Sequence, residues 1–166
     1  MLLEVYARIK DFEQYAISNY GEVINIKTGN KLKPSLRNGY PCISLPVNKK
    51  FKHKYIHRLV ANAFLDKIEN KTLIDHIDNN KTNNCLDNLR FCNHSENMRN
   101  TKISKINKCS VKGVSYKKDT KKWRAYITFN KQKTHIGCFD SLEEAKIARQ
   151  NKSLELFGEF LNECEK

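Results

Sequence analysis

Residues able to do hydrolytic chemistry are concentrated in one stretch of the chain, residues 73–100. Asp75 and His76 end one short apolar run, Asn88 precedes another, and Asn97 follows a group of helix-capping residues. An imidazole titrates near neutrality, so His76 is suited to take a proton from an attacking water. Asp75 and Asn97 carry the oxygen atoms that hard divalent cations prefer. The stretch therefore suggests metal-assisted hydrolysis.

Two strands and a helix must bring these side chains together. The apolar pair Leu73-Ile74 predicts one strand, and the run at 89–92 predicts a second. Residues 93–96, Asn-His-Ser-Glu, form a capping box that predicts the start of a helix. A strand, a loop, a strand and a helix would let the four candidate residues converge. The asparagines of the loop are predicted to be turn formers, because asparagine tolerates left-handed backbone: Asn79, Asn80, Asn83 and Asn84.

The phrases D-H-I-D-N-N-K-T-N-N, N-L-R-F and S-E-N-M-R-N resemble the HNH nucleases of the homing-endonuclease type. The resemblance covers residues 56–101 and implies a ββα-metal active site. His76 and Asn88 would be the catalytic residues, and the carbonyl of Asn88 is suited to accept a hydrogen bond from the His76 ring. Asp75 and Asn97 would bind the metal, with Mg²⁺ or Mn²⁺ fitting better than zinc.

Charge is distributed unevenly along the chain. The 166 residues carry a formal net charge of +13. Residues 1–55 carry +6, residues 56–101 are neutral and residues 102–166 carry +7. Basic segments on both sides of a neutral centre favour a polyanionic partner, and double-stranded DNA is the expected one. The alternative is a basic surface that serves only solubility.

The cysteine spacing and the lengths of the apolar runs indicate in which cellular compartment the protein is expected. Six cysteines are scattered without a Cys-x-x-Cys pair, so we expect reduced thiols, an intracellular cytosol-like compartment and no zinc site. The longest apolar runs fall well short of the roughly 20 residues of a membrane span, and residues 1–10 lack the features of a signal peptide. We expect a monomer without membrane association.

Residues 1–55 are predicted to form a small β module. Strand-like runs flank turns at Asn19-Tyr20-Gly21, at 27–31 and at Asn38-Gly39. The phrases Y-A-I-S-N-Y-G-E-V, K-L-K-P and N-G-Y resemble the NUMOD-type module found beside HNH nucleases. The module is either a scaffold or a DNA contact. The candidate contacts are its basic residues Lys31, Lys33, Arg37, Lys49, Lys50, Lys52 and Lys54.

Residues 56–64 have the apolar spacing of a helix with one buried face. His57 lies in its first turn, and we expect it to be a packed, hydrogen-bonded core residue rather than a ligand. The basic segment 102–111 is predicted to be a linker.

Residues 112–166 are predicted to form the last module. Apolar and polar residues alternate over 123–130, which indicates a strand with one exposed face, and Asp140-Ser141 begins a helix. The phrases K-G-V, K-W-R-A-Y-I and L-F-G-E-F resemble the APETALA-type DNA-binding domain. That resemblance implies a three-stranded sheet in the major groove, backed by one helix. The candidate DNA-binding residues are Lys112, Lys117, Lys122, Arg124, Tyr126, Thr128, Lys133 and His135.

Together these patterns predict an α+β chain. Its expected parts are the β module 1–55, the ββα-metal core 56–101, the linker 102–111 and the three-stranded antiparallel sheet with one helix, 112–166. The leading hypothesis is a site-specific, metal-dependent DNA endonuclease of the homing type. A DNA-binding regulator with an inactive HNH fold and an RNA-binding protein are the alternatives. If the last module reads DNA, a chain without residues 102–166 should still fold and nick, with little site preference.

Overall fold

The computed structural model describes residues 3–48, 50–101 and 109–162. The chain divides into two compact units, Met1–Asn93 and His94–Lys166. The expected α+β class is confirmed, since the described residues form four small sheets and a few helices.

The first unit begins with two antiparallel sheets. Their strands are β1 Tyr6–Ile9, β2 Phe12–Ser18, β3 Val23–Asn25 and β4 Lys31–Leu32 in one, and β5 Ser35–Arg37, β6 Tyr40–Val47 and β7 Lys50–Tyr55 in the other. The predicted turn at Asn38-Gly39 is confirmed. Both residues have positive φ, 53° and 78°, as a two-residue hairpin turn with the twist of its strands requires. The alternation pattern did not indicate β7.

Helix α1, Ile56–Phe64, follows β7 directly and matches the predicted range. Its residues Ile56 and Val60 are buried in one hydrophobic core with strand residues such as Ile17 and Leu45. The antiparallel pair β8 Leu73–His76 and β9 Leu89–Cys92 comes next, with His76 opposite Leu89. The predicted strand, loop and strand are thus present, and they lie against the same core through Ile74 and Leu89.

The second unit contains the remaining helices and one antiparallel sheet. Its elements are α2 His94–Arg99, β10 Val114–Lys117, β11 Lys122–Phe129, β12 Gln132–Phe139 and α3 Leu142–Phe157. Helix α3 covers one face of the sheet, where Val114, Ala125 and Ile127 are buried. The Ser141 hydroxyl accepts a hydrogen bond from the Glu144 amide at 3.2 Å, which confirms the predicted helix start.

Residues at the end of α2 are held by the C-terminal part of the same unit. The Asn162 amide donates to the Asn100 carbonyl at 2.8 Å, and Asn100 is 1% exposed. The Arg99 guanidinium lies over the rings of Phe129 and Phe157, at 5.2 and 4.8 Å. Removing residues 102–166 would take away all of these partners. The truncated chain would therefore lose the contacts that hold the end of α2, and whether it still folds and nicks stays a prediction.

Three further expectations concern the linker, the cysteines and membrane spans. The predicted linker 102–111 lies outside the described residues for 102–108, while Cys109 and Val111 pack against the core of the last sheet. Of the predicted reduced thiols, five are described and none of these five forms a disulfide, and Cys164 lies outside the described residues. Within the described part of the chain, no helix has the length and apolar character to span a membrane.

Candidate active site

His76 occupies the last position of β8 and is 6% exposed. Its Nε2 lies 3.1 Å from the Asn84 side-chain oxygen. The Asn84 amide nitrogen donates to the Thr82 carbonyl at 3.2 Å, which sets the orientation of the amide and turns its oxygen toward the histidine. An amide oxygen only accepts hydrogen bonds, so Nε2 of His76 carries the proton. Nδ1 is then the basic nitrogen of the neutral ring.

Asn88 closes the loop between the two strands. Its side-chain oxygen accepts from the Asp78 backbone amide at 3.0 Å, and its amide donates to the Asp78 carboxylate at 2.9 Å and the Asn83 carbonyl at 2.8 Å. The expectation that Asn88 accepts from the His76 ring is wrong in this structure, because Asn84 provides that contact. Asn88 acts instead on the loop that carries Asn84.

Asp78 is the centre of the same loop. Besides Asn88, its carboxylate accepts hydrogen bonds from the Asn80 backbone amide at 2.7 Å and the Asn83 side chain at 2.8 Å. Burial acts to raise the pKa of Asp78, but these hydrogen bonds and the nearby His76 outweigh it and lower the pKa. The loop is thus fastened around an ionised carboxylate.

The predicted role of the loop asparagines is confirmed in part. Asn79 has left-handed backbone with φ 58°, and Asn80 caps the following turn by accepting from Thr82. Asn84 is 6% exposed and contacts His76. The loop contains five asparagines, Asn88 included, and nothing in their local pattern distinguishes the one that contacts the histidine.

Asp75 precedes His76 and lies opposite Arg90 on the neighbouring strand. Its Oδ2 accepts from Nε and Nη2 of Arg90, at 3.0 and 2.8 Å, and both side chains are largely buried. Sequence reasoning did not assign a role to Arg90, although the antiparallel register of the two predicted strands could have indicated the pair. The guanidinium compensates the charge of a carboxylate that would otherwise be costly to bury.

Asn97 lies on α2 and is half-buried. It belongs to the second unit, whereas Asp75, His76 and Asn88 belong to the first. Among the residues that the structure describes, no group of three or more His, Cys, Asp or Glu side chains is arranged to hold a metal. A hard cation that keeps most of its waters needs only one or two protein oxygens, and a buried carboxylate with an amide oxygen is a fitting donor set for it. Asn97 as a ligand stays a prediction.

The predicted DNA-binding residues of the last module largely share one face of its sheet. Residues opposite each other in an antiparallel pair point to the same side. The register pairs Lys117 with Lys122, Tyr126 with His135 and Thr128 with Lys133, while Arg124 lies in the same alternating row as Tyr126. This is the face that α3 does not cover.

Two of these side chains are close neighbours, and two others are partly neutralised. The Lys133 ammonium lies 3.8 Å from the Tyr126 ring centroid. Lys122 contacts Asp140 at 3.1 Å, and Lys117 contacts Asp119 at 4.0 Å. Lys112 is not on the sheet face, because it precedes β10 and its ammonium donates to the Arg99 carbonyl at 3.1 Å.

The basic residues predicted in the first module differ in their surroundings. Lys31 forms an ion pair with Glu22 at 2.7 Å, and this contact raises the pKa of the lysine. Lys54 is half-buried with its ammonium over the Phe12 ring. Lys49 lies outside the described residues. The others are exposed: Lys33, Arg37, Lys50 and Lys52.

A basic cleft in the first unit was missed by sequence reasoning. It has a volume of about 400 Å³ and lies between β1, the end of β7 and α1. Five Lys or Arg side chains and one acid, Asp11, line it, and the five are Arg8, Lys10, Lys54, Arg58 and Lys67. They come from three separate parts of the sequence, so no local charge run indicates that they meet.

Comparison with known proteins assigns two segments of the chain. Residues 54–99 match the family model described as HNH endonuclease, and residues 4–46 match the NUMOD4 motif. Two uncharacterized HNH endonucleases of Acanthamoeba polyphaga mimivirus are 47% and 45% identical to this chain over 55 and 58 residues. These matches cover 33% and 34% of this chain, and the chain spans only 17% and 15% of those relatives.

A solved structure is similar over most of the chain. That structure concerns DNA binding and cleavage by the HNH homing endonuclease I-HmuI. The TM-score is 0.54 and the identity 28%, with 93% of this chain and 83% of that one covered. The resemblance of the last module to the APETALA-type domain stays a prediction, although the sheet and helix it implies are present. The chain thus carries an HNH endonuclease domain at residues 54–99 and a NUMOD4 motif at residues 4–46.

Proposed function

We propose that this chain is a site-specific, metal-dependent DNA endonuclease of the homing type that hydrolyses phosphodiester bonds. The observation that carries the proposal is His76, a buried histidine at a strand end whose Nε2 is held by Asn84. It lies within the segment that matches the HNH endonuclease model. The neighbouring solved structure concerns an enzyme that binds and cleaves DNA, which favours DNA as the substrate.

His76 is the proposed general base. With Nε2 donating to Asn84, Nδ1 accepts a proton from the attacking water, and the Asn84 oxygen stabilises the resulting imidazolium. Asn88 is proposed to act as a positioning residue rather than through contact with the substrate, because its bonds fasten the loop that bears Asn84. This assignment keeps Asn88 essential for activity but changes its role.

Asp75 and Asn97 are the proposed ligands of Mg²⁺ or Mn²⁺. When bound, such a cation supplies Lewis acidity and stabilises the departing 3′ oxygen. Arg90 fixes the orientation of the Asp75 carboxylate through two hydrogen bonds to a single oxygen. That contact supports Asp75 as an oriented oxygen donor.

DNA affinity is proposed to come from two basic surfaces. One is the uncovered sheet face of the last module, with Arg124, Tyr126, Thr128, Lys133 and His135. The other is the basic cleft of the first unit, whose five cationic side chains exceed its single acid by four. Both offer lysines and arginines that can displace counterions from the phosphate backbone. Residues 56–101 are neutral in total, so their attraction for DNA depends on where their charges lie, and Arg58 and Lys67 contribute to the basic cleft.

A plasmid assay tests the proposal. A supercoiled plasmid that carries a target site should be nicked or cut with Mg²⁺ or Mn²⁺ and left intact with a chelator. A zinc-selective chelator should leave cleavage unchanged. Tight, site-preferring binding without any cleavage under these conditions would support a DNA-binding regulator with an inactive HNH fold instead. Preference for RNA over the duplex would support the third alternative.

A further inference from the structure

Two aromatic rings contact the His76 ring and a third stacks on one of them, and all three come from sequence outside β8, β9 and their loop. The His57 ring lies 5.2 Å from the His76 ring, centroid to centroid, in an edge-to-face arrangement. The Tyr40 ring is 5.0 Å from His57 and 6.0 Å from His76. Tyr55 stacks on His57 at 5.7 Å. Such edge-to-face and tilted pairs are favourable packing geometries for aromatic rings.

Tyr40 is held in this group from both sides. It begins β6, where it follows the turn at Asn38-Gly39, and it is half-buried. The Lys81 ammonium from the loop between β8 and β9 lies 4.3 Å from its ring centroid. The loop that carries Asn84 therefore contacts Tyr40, and Tyr40 contacts both histidines. The N-terminal module thus contributes directly to the surroundings of the proposed base.

His57 is buried without the hydrogen bond that was expected for it. It is 7% exposed, and among the described residues no partner lies within hydrogen-bond distance of its Nδ1. Burial, together with His76 and Arg58, lowers the pKa of His57 to about 4. His57 is consequently neutral near pH 7, so it presents no positive charge to His76 when that ring takes up a proton.

The bond from Nε2 to Asn84 fixes the position of one atom of the His76 imidazole. Contacts with the rings of Tyr40 and His57 act on the plane of the imidazole, and so on the direction in which Nδ1 points. A displacement of about 1 Å at a reacting group can cost on the order of 100-fold in rate.

We propose that Tyr40 and His57 are positioning residues for His76, holding its imidazole plane so that Nδ1 points at the attacking water. The inference rests on the proposed role of His76 as general base. It assigns a catalytic contribution to the N-terminal module in addition to any DNA contact. A ring that only fills space in the core can be replaced by an aliphatic side chain without loss of activity. A ring that orients His76 cannot, and leucine at its position should lower the cleavage rate.

The first experiment compares matched variants of the full-length protein. Tyr40→Leu and His57→Leu should lower the single-turnover cleavage rate at saturating enzyme about tenfold, which is a modest fraction of the cost of a misplaced reacting group. DNA affinity should stay within about twofold, because neither side chain is proposed to touch DNA. Tyr40→Phe keeps the ring and should restore most of the rate. Tyr15→Leu is the matched control, because Tyr15 is buried in the hydrophobic core and no ring contact between it and His76 is found among the described residues.

The second experiment places the same changes in a His76→Ala background. If Tyr40 and His57 act through His76, neither change should lower the residual rate further, since coupled residues are non-additive. The same fold loss in both backgrounds, or an unchanged rate for both leucine variants in the wild-type background, would overturn the proposal. Thermal unfolding identifies any variant that fails to fold, and for such a position His57→Phe or Tyr40→Met replaces it. A wild-type cleavage rate for His76→Ala alone would instead refute the proposed base.

Discussion

The loop between β8 and β9 and the sheet of the second unit use polar residues in opposite ways. In the loop, Asp78, Asn84 and Asn88 are turned toward one another and bonded within a few residues. On the sheet, Arg124, Tyr126 and Lys133 lie in a row on the face that the helix leaves uncovered. Asn84 and Asn88 are buried, and buried polar groups must keep their partners, which makes this network rigid although Asp78 itself is exposed. The side chains on the uncovered face of the sheet remain available to a binding partner.

The comparison suggests a division of labour. The loop has few charges to offer DNA but places one imidazole accurately, whereas the sheet has charge and exposed area but no arranged catalytic group. We therefore expect changes in the loop to alter the cleavage rate and changes on the sheet to alter affinity and site choice. The following predictions test that separation, in order of decreasing effect.

The largest effect is expected for His76→Ala. Loss of a general base costs about 10²–10⁴ in rate, and DNA affinity should be nearly unchanged because His76 is buried. The measurement is single-turnover cleavage at saturating enzyme beside a binding titration. His53→Ala serves as a control, since His53 is exposed and bonds to Ser44 rather than to the loop. Equal rates for the two variants would remove His76 from the mechanism.

His57 should make the folded state sensitive to acid. Its pKa is about 4 in the fold and near 6.5 when unfolded, so the unfolded chain binds more protons between these values. Its contribution to stability is complete above about pH 6.5 and is lost as the pH falls toward 4, which amounts to about 3 kcal/mol at 1.36 kcal/mol per pKa unit. Denaturant unfolding of wild type and His57→Gln across this range measures the difference. Parallel stability curves would mean that His57 is not held neutral by the fold.

Substitution of the proposed metal ligands is expected to change the Mn²⁺ concentration that cleavage requires. Asp75→Asn keeps a hydrogen-bond acceptor for Arg90 but removes the charge, so it tests the ligand without leaving a buried guanidinium alone. Asp75→Asn and Asn97→Ala should each raise the half-saturating Mn²⁺ concentration at least about tenfold. Asp87→Asn, at an exposed acid near the loop, is the control. An unchanged Mn²⁺ titration in both variants would exclude the two residues from the metal site.

The smallest effects are expected for the basic surfaces. Arg124→Gln with Lys133→Gln, and Arg8→Gln with Arg58→Gln, should each reduce the slope of log affinity against log salt by up to about 2, at roughly 0.9 per phosphate contact. Cleavage at saturating enzyme should be nearly unchanged. The sheet pair should also change the pattern of cut sites, because base edges are read in the groove.

Lys146→Gln with Lys152→Gln removes two charges from α3, where both lysines already pair with glutamates, and should leave the slope unaltered. A reduced slope in this control pair would show that only the total charge matters. An unaltered slope in the sheet pair would show that the uncovered face does not contact DNA.

The sequence by itself determined the elements and the candidate chemistry. Helix α1, the pair β8 and β9, and the last sheet with its helix all follow from local periodicity and capping, which act over a few residues. The Asp75-His76 pair and the asparagine-rich loop were recognisable for the same reason. Alternation also indicated which face of β11 would be exposed, and the register agrees.

The tertiary structure decided which residues act on one another. Asn84 rather than Asn88 contacts His76, because the bonds of Asn88 to Asp78 and Asn83 fold the loop and place Asn84 beside the ring. Tyr40 and His57 reach the same ring from separate elements, and α2 is joined to the C-terminal module through Arg99 and Asn100. Such contacts depend on how distant segments pack, and no local pattern encodes the partner of a side chain that lies 36 or 62 positions away in the sequence.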